Sequence, residues 1–175
     1  MVKQNDVRTQ SISRIRIRTF EAAAALNCDH PKNTEEAQYN LAYPVAAALY
    51  DGQVGPRQVM PPRIFDNSLL ELADKVEVEV ASEFEKTFPQ KTYAEVVIRT
   101  KDGRELSSGR VEPMWEPSNS LPTDTELEEK FIEIVEPILG PDKVQEITRI
   151  IWDFENIDGI RPFINSCIKG QSSQE

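Results

Sequence analysis

Cysteine is nearly missing from this chain. The two present in 175 residues, Cys28 and Cys167, lie far apart and outside any paired spacing, which suggests neither a disulfide framework nor a zinc site. A reducing compartment is the expectation. Histidine is scarcer still, with His30 alone, and no His/Cys/carboxylate metal constellation, Gly-rich phosphate loop or Ser-centred nucleophile elbow occurs. No cofactor is expected. The longest apolar run, Leu41 to Leu49, has about half the length needed to cross a bilayer, and the N-terminus lacks the basic-then-apolar order of a secretory signal. Residues 1–10 contain Asp6 and little amphipathic pattern, so a transit peptide is not evident and the expected location is cytoplasmic. Basic residues are outnumbered, 20 Lys and Arg against 30 Asp and Glu, for a formal charge of -10. That balance argues against nucleic acid and anionic membrane surfaces as partners, both of which need basic patches.

What is there begins with the stretch Glu35 to Gly55, EEAQYNLAYPVAAALYDGQVG. Asn33 or Thr34 can cap a helix start, Glu36 stands three residues after Asn33 as a capping box requires, and Gly52 suits the position just past the end. Ala37, Leu41, Val45 and Ala48 fall at helical spacing, and Ala42, Ala46, Ala47 and Leu49 extend the apolar surface most of the way round. The pattern predicts one buried helix over about 34–50, bent near Tyr43, because Pro44 lacks an N–H and crowds the Asn40 carbonyl.

Elsewhere the alternation of Ile12 to Phe20 predicts a strand whose wet face carries Arg14, Arg16 and Arg18. Val76, Val78 and Val80 alternate with Glu77 and Glu79 in a second strand. Residues 94–100 and 104–112 read as a hairpin across Lys101-Asp102-Gly103, since Asp-Gly tolerates the positive φ of a tight turn. Short helical turns are expected at 21–26 and from an Asn67 cap to Asp74. Thr123 with Glu126 opens a helix striped by Leu127, Phe131, Ile134, Val135 and Ile138, which Pro137 should end or kink. Gly140-Pro141 then leads into Asp142 to Phe154 with Val144, Ile147, Ile151 and Phe154 inward, and a last helix spans about 160–168. The fold class is α+β: a small, mostly antiparallel sheet with helices on one face and C-terminal helices. Residues 11–168 are expected to form one domain, long enough to hide roughly 70% of the unfolded chain's surface, between a disordered 1–10 and a disordered 169–175.

The segment AQYNLAYPVAAALYDGQVG resembles AQFSLPYAVAAALLDGxVG, which marks the second domain of the MmgE/PrpD family. The resemblance continues through DNSLLELADKVEVEV (66–80), VVIRTKDGREL (96–106), LPTDTELEEKF (121–131) and the closing helices to about Ile168, five blocks in order. The family includes 2-methylcitrate dehydratase, cis-aconitate decarboxylase and iminodisuccinate epimerase, and its eukaryotic branch has mitochondrial members. The resemblance implies a helical first domain that carries most of the lysine, histidine and aspartate site residues, against which the closing helices pack. That helical domain is expected to be missing from the sequence given, leaving this chain inactive alone.

The candidate residues follow from the resemblance. Tyr43 aligns with the tyrosine of the family segment, expected to reach the cleft between the domains; it is the catalytic candidate, able to hydrogen-bond a substrate carboxylate or relay a proton, with aromatic packing at the bend as the alternative. Gln38 and Asn40 can add amide donors as substrate-binding residues. Asn40 replaces the family serine, Tyr39 its phenylalanine, and Pro44 stands later than the family proline, so substrate identity is open. Arg57, with Arg63, offers the nearby cations, solvated surface arginines being the competing reading. His30, in a loop beside Asp29, reads as solvated rather than as a base. No metal ligands are expected.

Two functions are compatible with these residues. One is a lid-like C-terminal domain of a lyase acting on small di- or tricarboxylates by dehydration, decarboxylation or epimerisation. Its partners would be a helical N-terminal domain or homologous subunit and a polycarboxylate substrate. The other is a non-catalytic association module that dimerises or docks onto full-length relatives. Either way a homo-oligomer is expected, because the closing helices expose apolar surface.

Overall fold

The alternation of isoleucine and arginine builds the centre of the sheet. A computed structural model describes residues 7–26, 28–115 and 121–168. Strands β1 (Ile12–Thr19), β2 (Val76–Val80), β3 (Glu95–Thr100) and β4 (Glu105–Ser107) form one sheet in the order β2-β1-β3-β4. β1 runs parallel to β2 and antiparallel to β3, and β4 is antiparallel to β3. Two of the three pairings are therefore antiparallel, as expected of the α+β class. The alternation in β1 is not strict: the register shifts between Ile12 and Arg14, and one extra residue there brings Ile12 to the same buried side as Ile15 and Ile17. The opposite face carries a charged ladder in which Arg14 pairs with Glu77, and Arg18 with Glu83 at 2.5 Å and Glu95 at 2.6 Å.

Helices cover the apolar face. After the single turn α1 (Glu21–Ala24), the expected long helix comes as two pieces, α2 (Thr34–Gln38) and α3 (Ala42–Asp51). The break falls at Tyr39–Leu41, upstream of the proline. Pro44 thus occupies the third position of α3, in the first turn where N–H groups have no partner within the helix, so it breaks no interior bond. Leu41 stands at the cap position without a side-chain bond, and Asn40, one residue earlier, does the capping, its Oδ1 accepting the Tyr43 N–H at 2.7 Å. Asn33 caps α2 as the sequence suggests, accepting the Glu36 N–H at 2.8 Å, and Gly52 ends α3 at φ 79.

Helix α4 (Asn67–Ala73) is capped by Asp66, which accepts from Leu69 N, and not by Asn67. Ala37, Ala42, Tyr43, Ala46 and Ala47 from α2 and α3, with Leu69, Leu72 and Ala73 from α4, join Ile12, Ile15 and Ile98 in one core. The alanines let helix and sheet backbones approach closely. Helix α5 (Ser82–Glu85), which periodicity does not reveal, buries Phe84 in a smaller cluster with Ala81 and Tyr93. The hairpin turns at Gly103, φ 88, but β4 is shorter than expected; beyond it Ser108 N–H still reaches the Val96 carbonyl at 2.9 Å, and Val111 pairs with Ala94.

The chain divides into two compact units, 1–120 and 121–175. In the second, α6 (Asp124–Leu139), α7 (Pro141–Trp152) and α8 (Arg161–Cys167) follow one another. Thr123 and Glu126 form the expected capping box. Pro137 does not stop α6: it sits in the last turn, where one lost bond is cheap, and Gly140 at φ 83 makes the stop. Val144, Ile147 and Ile150 of α7 are buried, while Ile151 and Phe154, expected inward, are exposed. Ser166 of α8 is buried and donates to Glu146 at 2.7 Å. Among the described residues no helix is long and apolar enough to cross a membrane. Of 1–10, residues 1–6 lie outside the described residues, whereas Val7 is buried and Thr9–Ser11 form a 3-10 turn. The segment 169–175 also lies outside them.

Candidate functional site

The loop after α3 folds back beside α2 and leaves a groove of about 430 Å³. Thr34 and Gln38 of α2 form one side, and Val54, Gly55, Pro56, Val59 and Met60 of the loop form the other. None of these seven side chains is ionisable. The groove offers an apolar wall, one amide and one hydroxyl.

A hydrogen-bonded network lies behind that wall. Tyr43 is buried, and its hydroxyl donates to the Gln58 carbonyl at 2.5 Å. Burial pushes its phenol above the ordinary value of 10.0. Gln58, also buried, accepts the Gly55 N–H at 3.1 Å and donates to Asp51 at 3.2 Å. Arg63 grips both oxygens of Asp51, at 2.5 and 3.1 Å, and reaches Asp66 at 2.8 Å. Its guanidinium also lies 5.2 Å from the centre of the Tyr50 ring. The Arg63 hydrogen bonds hold the Asp51 carboxyl below the ordinary 3.8, and Asp51 in turn raises Arg63.

The structure separates the residues that the sequence groups. Gln38 is exposed and faces the groove, with its amide donating to the Thr34 carbonyl at 3.3 Å. Asn40 is buried, its oxygen on the Tyr43 N–H and its nitrogen on the Asp29 carbonyl at 2.7 Å. Arg57 is exposed on the groove loop and does not line the groove. Arg63 is no solvated arginine: three quarters of its side chain is covered between two carboxylates. His30 stays half-exposed and meets Asp74 at 2.6 Å. Among the described residues no cluster of His, Cys, Asp and Glu is arranged to hold a metal ion.

The helix break, the αL stop at Gly52 and the start of the loop wall, Val54 and Gly55, lie within the segment on which the family resemblance rests. Residues 1–156 match the MmgE/PrpD C-terminal domain. The chain belongs to the MmgE/PrpD family. A search of curated proteins returns no match. As a C-terminal domain, the MmgE/PrpD unit implies an N-terminal partner domain in the family. The match ends at residue 156 and so takes in α6 and α7 of the second unit.

Three residues of the network, Asp51, Gln58 and Asp66, go unnoticed in the sequence. A signal for Asp51 exists there. A carboxylate in the last turn of a helix faces the negative end of the helix dipole, so an acid directly before the stop glycine calls for a nearby cation. Gln58 carries no comparable mark, because its role depends on where the loop places its backbone carbonyl.

Proposed function

We propose that the chain acts as the C-terminal, lid-like domain of an MmgE/PrpD-type lyase for small di- or tricarboxylates, with the reactive groups supplied by a helical N-terminal domain. The observation that carries this reading is the uncharged groove. Dehydration, decarboxylation and epimerisation beside a carboxylate each move a proton at a carbon whose charge must be stabilised, so they require a base or acid and cations for the substrate. The groove has a wall, the Gln38 amide and the Thr34 hydroxyl, and so suits covering and orienting a substrate held by another surface. Tyr43 then contributes by shaping the wall, Asn40 by capping α3, and Arg57 as the loop's exposed cation near the rim.

The test is co-expression with a family N-terminal domain and assay of water or CO2 loss from tricarboxylates. Turnover that requires both pieces, with Gln38→Ala raising KM about tenfold, a loss of about 1.4 kcal/mol, supports the proposal. Turnover indifferent to this chain sinks it. The second reading, an association module that dimerises or docks onto full-length relatives, is favoured by a different observation. Leu127, Ile134 and Ile138 of α6, and Ile160, Ile164 and Ile168 in and around α8, stand exposed at helical spacing. Binding to a full-length relative without any change in turnover would favour that module.

A further inference from the structure

The loop from Gly52 to Phe65 has little of its own to hold it. It carries no α-helix or strand, apart from a 3-10 turn at Arg63–Phe65. Ile64 is fully buried, but Val54, Met60 and Phe65 are exposed. Backbone hydrogen bonds close short turns within it, Gln58 N–H to the Gly55 carbonyl, Arg63 N–H to Met60 and Phe65 N–H to Pro62, each at 3.0 Å; the side-chain hydrogen bonds that tie it to α3 and α4 converge on few groups. The Tyr43 hydroxyl, held in the core on α3, reaches out to the Gln58 carbonyl at mid-loop. The Gln58 amide closes the Gly55 turn and reaches Asp51 at the end of α3. At the far end, Arg63 joins Asp51 to Asp66, and Asp66 uses its other oxygen to cap α4. One planar guanidinium therefore ties the last residue of α3 to the cap of α4. A single ammonium cannot reproduce that fork.

We propose that Tyr43 and Arg63 are positioning residues that hold the Gly52–Phe65 loop, and with it one wall of the groove, in a preformed geometry. The importance of that wall for carboxylate chemistry rests on the reading above; the positioning itself does not. A preformed wall spares an incoming substrate the cost of ordering fourteen residues of loop.

Amide hydrogen exchange on the full chain, resolved to Val54–Met60 and to β1, tests the assignment without any substrate. Tyr43→Phe keeps the ring and removes only the hydroxyl; Arg63→Ala removes the fork; Arg63→Lys keeps charge and length. The expected result is exchange at Val54–Met60 about tenfold faster in all three, with β1 amides in Tyr43→Phe and Arg63→Lys within about twofold of the unaltered chain. Lysine should thus rescue the core relative to alanine and leave the loop fast. Loop exchange unchanged in Tyr43→Phe and Arg63→Ala would overturn the proposal. So would loop and β1 accelerated by the same factor in Tyr43→Phe, or full restoration of the loop by lysine. The two readings fail separately: a chain with no part in carboxylate chemistry would still show this exchange pattern, and a working lid with a loop indifferent to Arg63 would not.

Discussion

Tyr43 shows how much of a residue's role its surroundings decide. Sequence alignment presents a phenol near a cleft; the fold buries it and directs its hydroxyl to a backbone carbonyl. Replacing it with phenylalanine takes that donor from the Gln58 carbonyl, a loss expected in local opening of the loop and not in the global urea melt, where the shift should stay within about 0.4 kcal/mol. Difference titration of the unaltered chain against Tyr43→Phe should find the Tyr43 phenol ionising above the ordinary 10.0, because burial raises its pKa. Asp51 behaves oppositely. Its folded pKa lies below the ordinary 3.8, chiefly through the Arg63 hydrogen bonds. Its contribution is therefore present above about pH 3.8 and is lost as pH falls through the lower folded value. Asp51→Asn should flatten the decline of stability with acid in that window, and an unaltered acid profile would deny the pairing its role.

At the scale of elements, the local rules that depend on neighbours in sequence were legible and those that depend on tertiary partners were not. The Thr123 capping box, the Asn33 cap, the Gly52 stop and the Asp-Gly hairpin turn stand where residue chemistry puts them. Pro44 predicts a bend near Tyr43, but the interruption falls at Tyr39–Leu41, because a proline tolerates the first turn and the Asn40 side chain accepts from Tyr43 N–H. Asp66 displaced Asn67 as the α4 cap while also serving Arg63, a partner the sequence does not reveal. In the groove the same division holds: Gln38 could be read from the helix, whereas the loop wall and its network could not. Two substitutions separate the roles of Asp66. Alanine should cost about 1 kcal/mol or more by removing the cap, while asparagine, which keeps the acceptor, should retain most of that stability. Equal losses in chemical denaturation would contradict the capping role. Gly52→Ala, forced into the left-handed region at φ 79, should cost about 1–2 kcal/mol by the same measurement.

For the whole molecule, the second unit has the thinnest core and the most exposed apolar surface. No residue of α6 is buried, and Ile138 is 60% exposed and Ile164 48%. A stripe of this kind calls for a covering surface. The chain alone should therefore associate in the micromolar range in sedimentation experiments, and Ile134→Asp with Ile138→Asp should shift it toward monomer; a clean monomer without those changes would count against the exposed stripe as a contact surface. On the charged outer face of the sheet, by contrast, Arg14 and Arg18 are paired within the ladder, whereas the Arg16 Nε is buried without a hydrogen bond, 3.9 Å from Glu79. The proposed role is that of a domain that completes a site without carrying its reactive groups. The most direct measurement is turnover of small tricarboxylates by the purified 175-residue chain, alone and with a family N-terminal domain added. The account predicts no loss of water or CO2 from the chain alone and turnover when the helical domain is present. Turnover by the chain unaided, abolished by Tyr43→Phe, would contradict it.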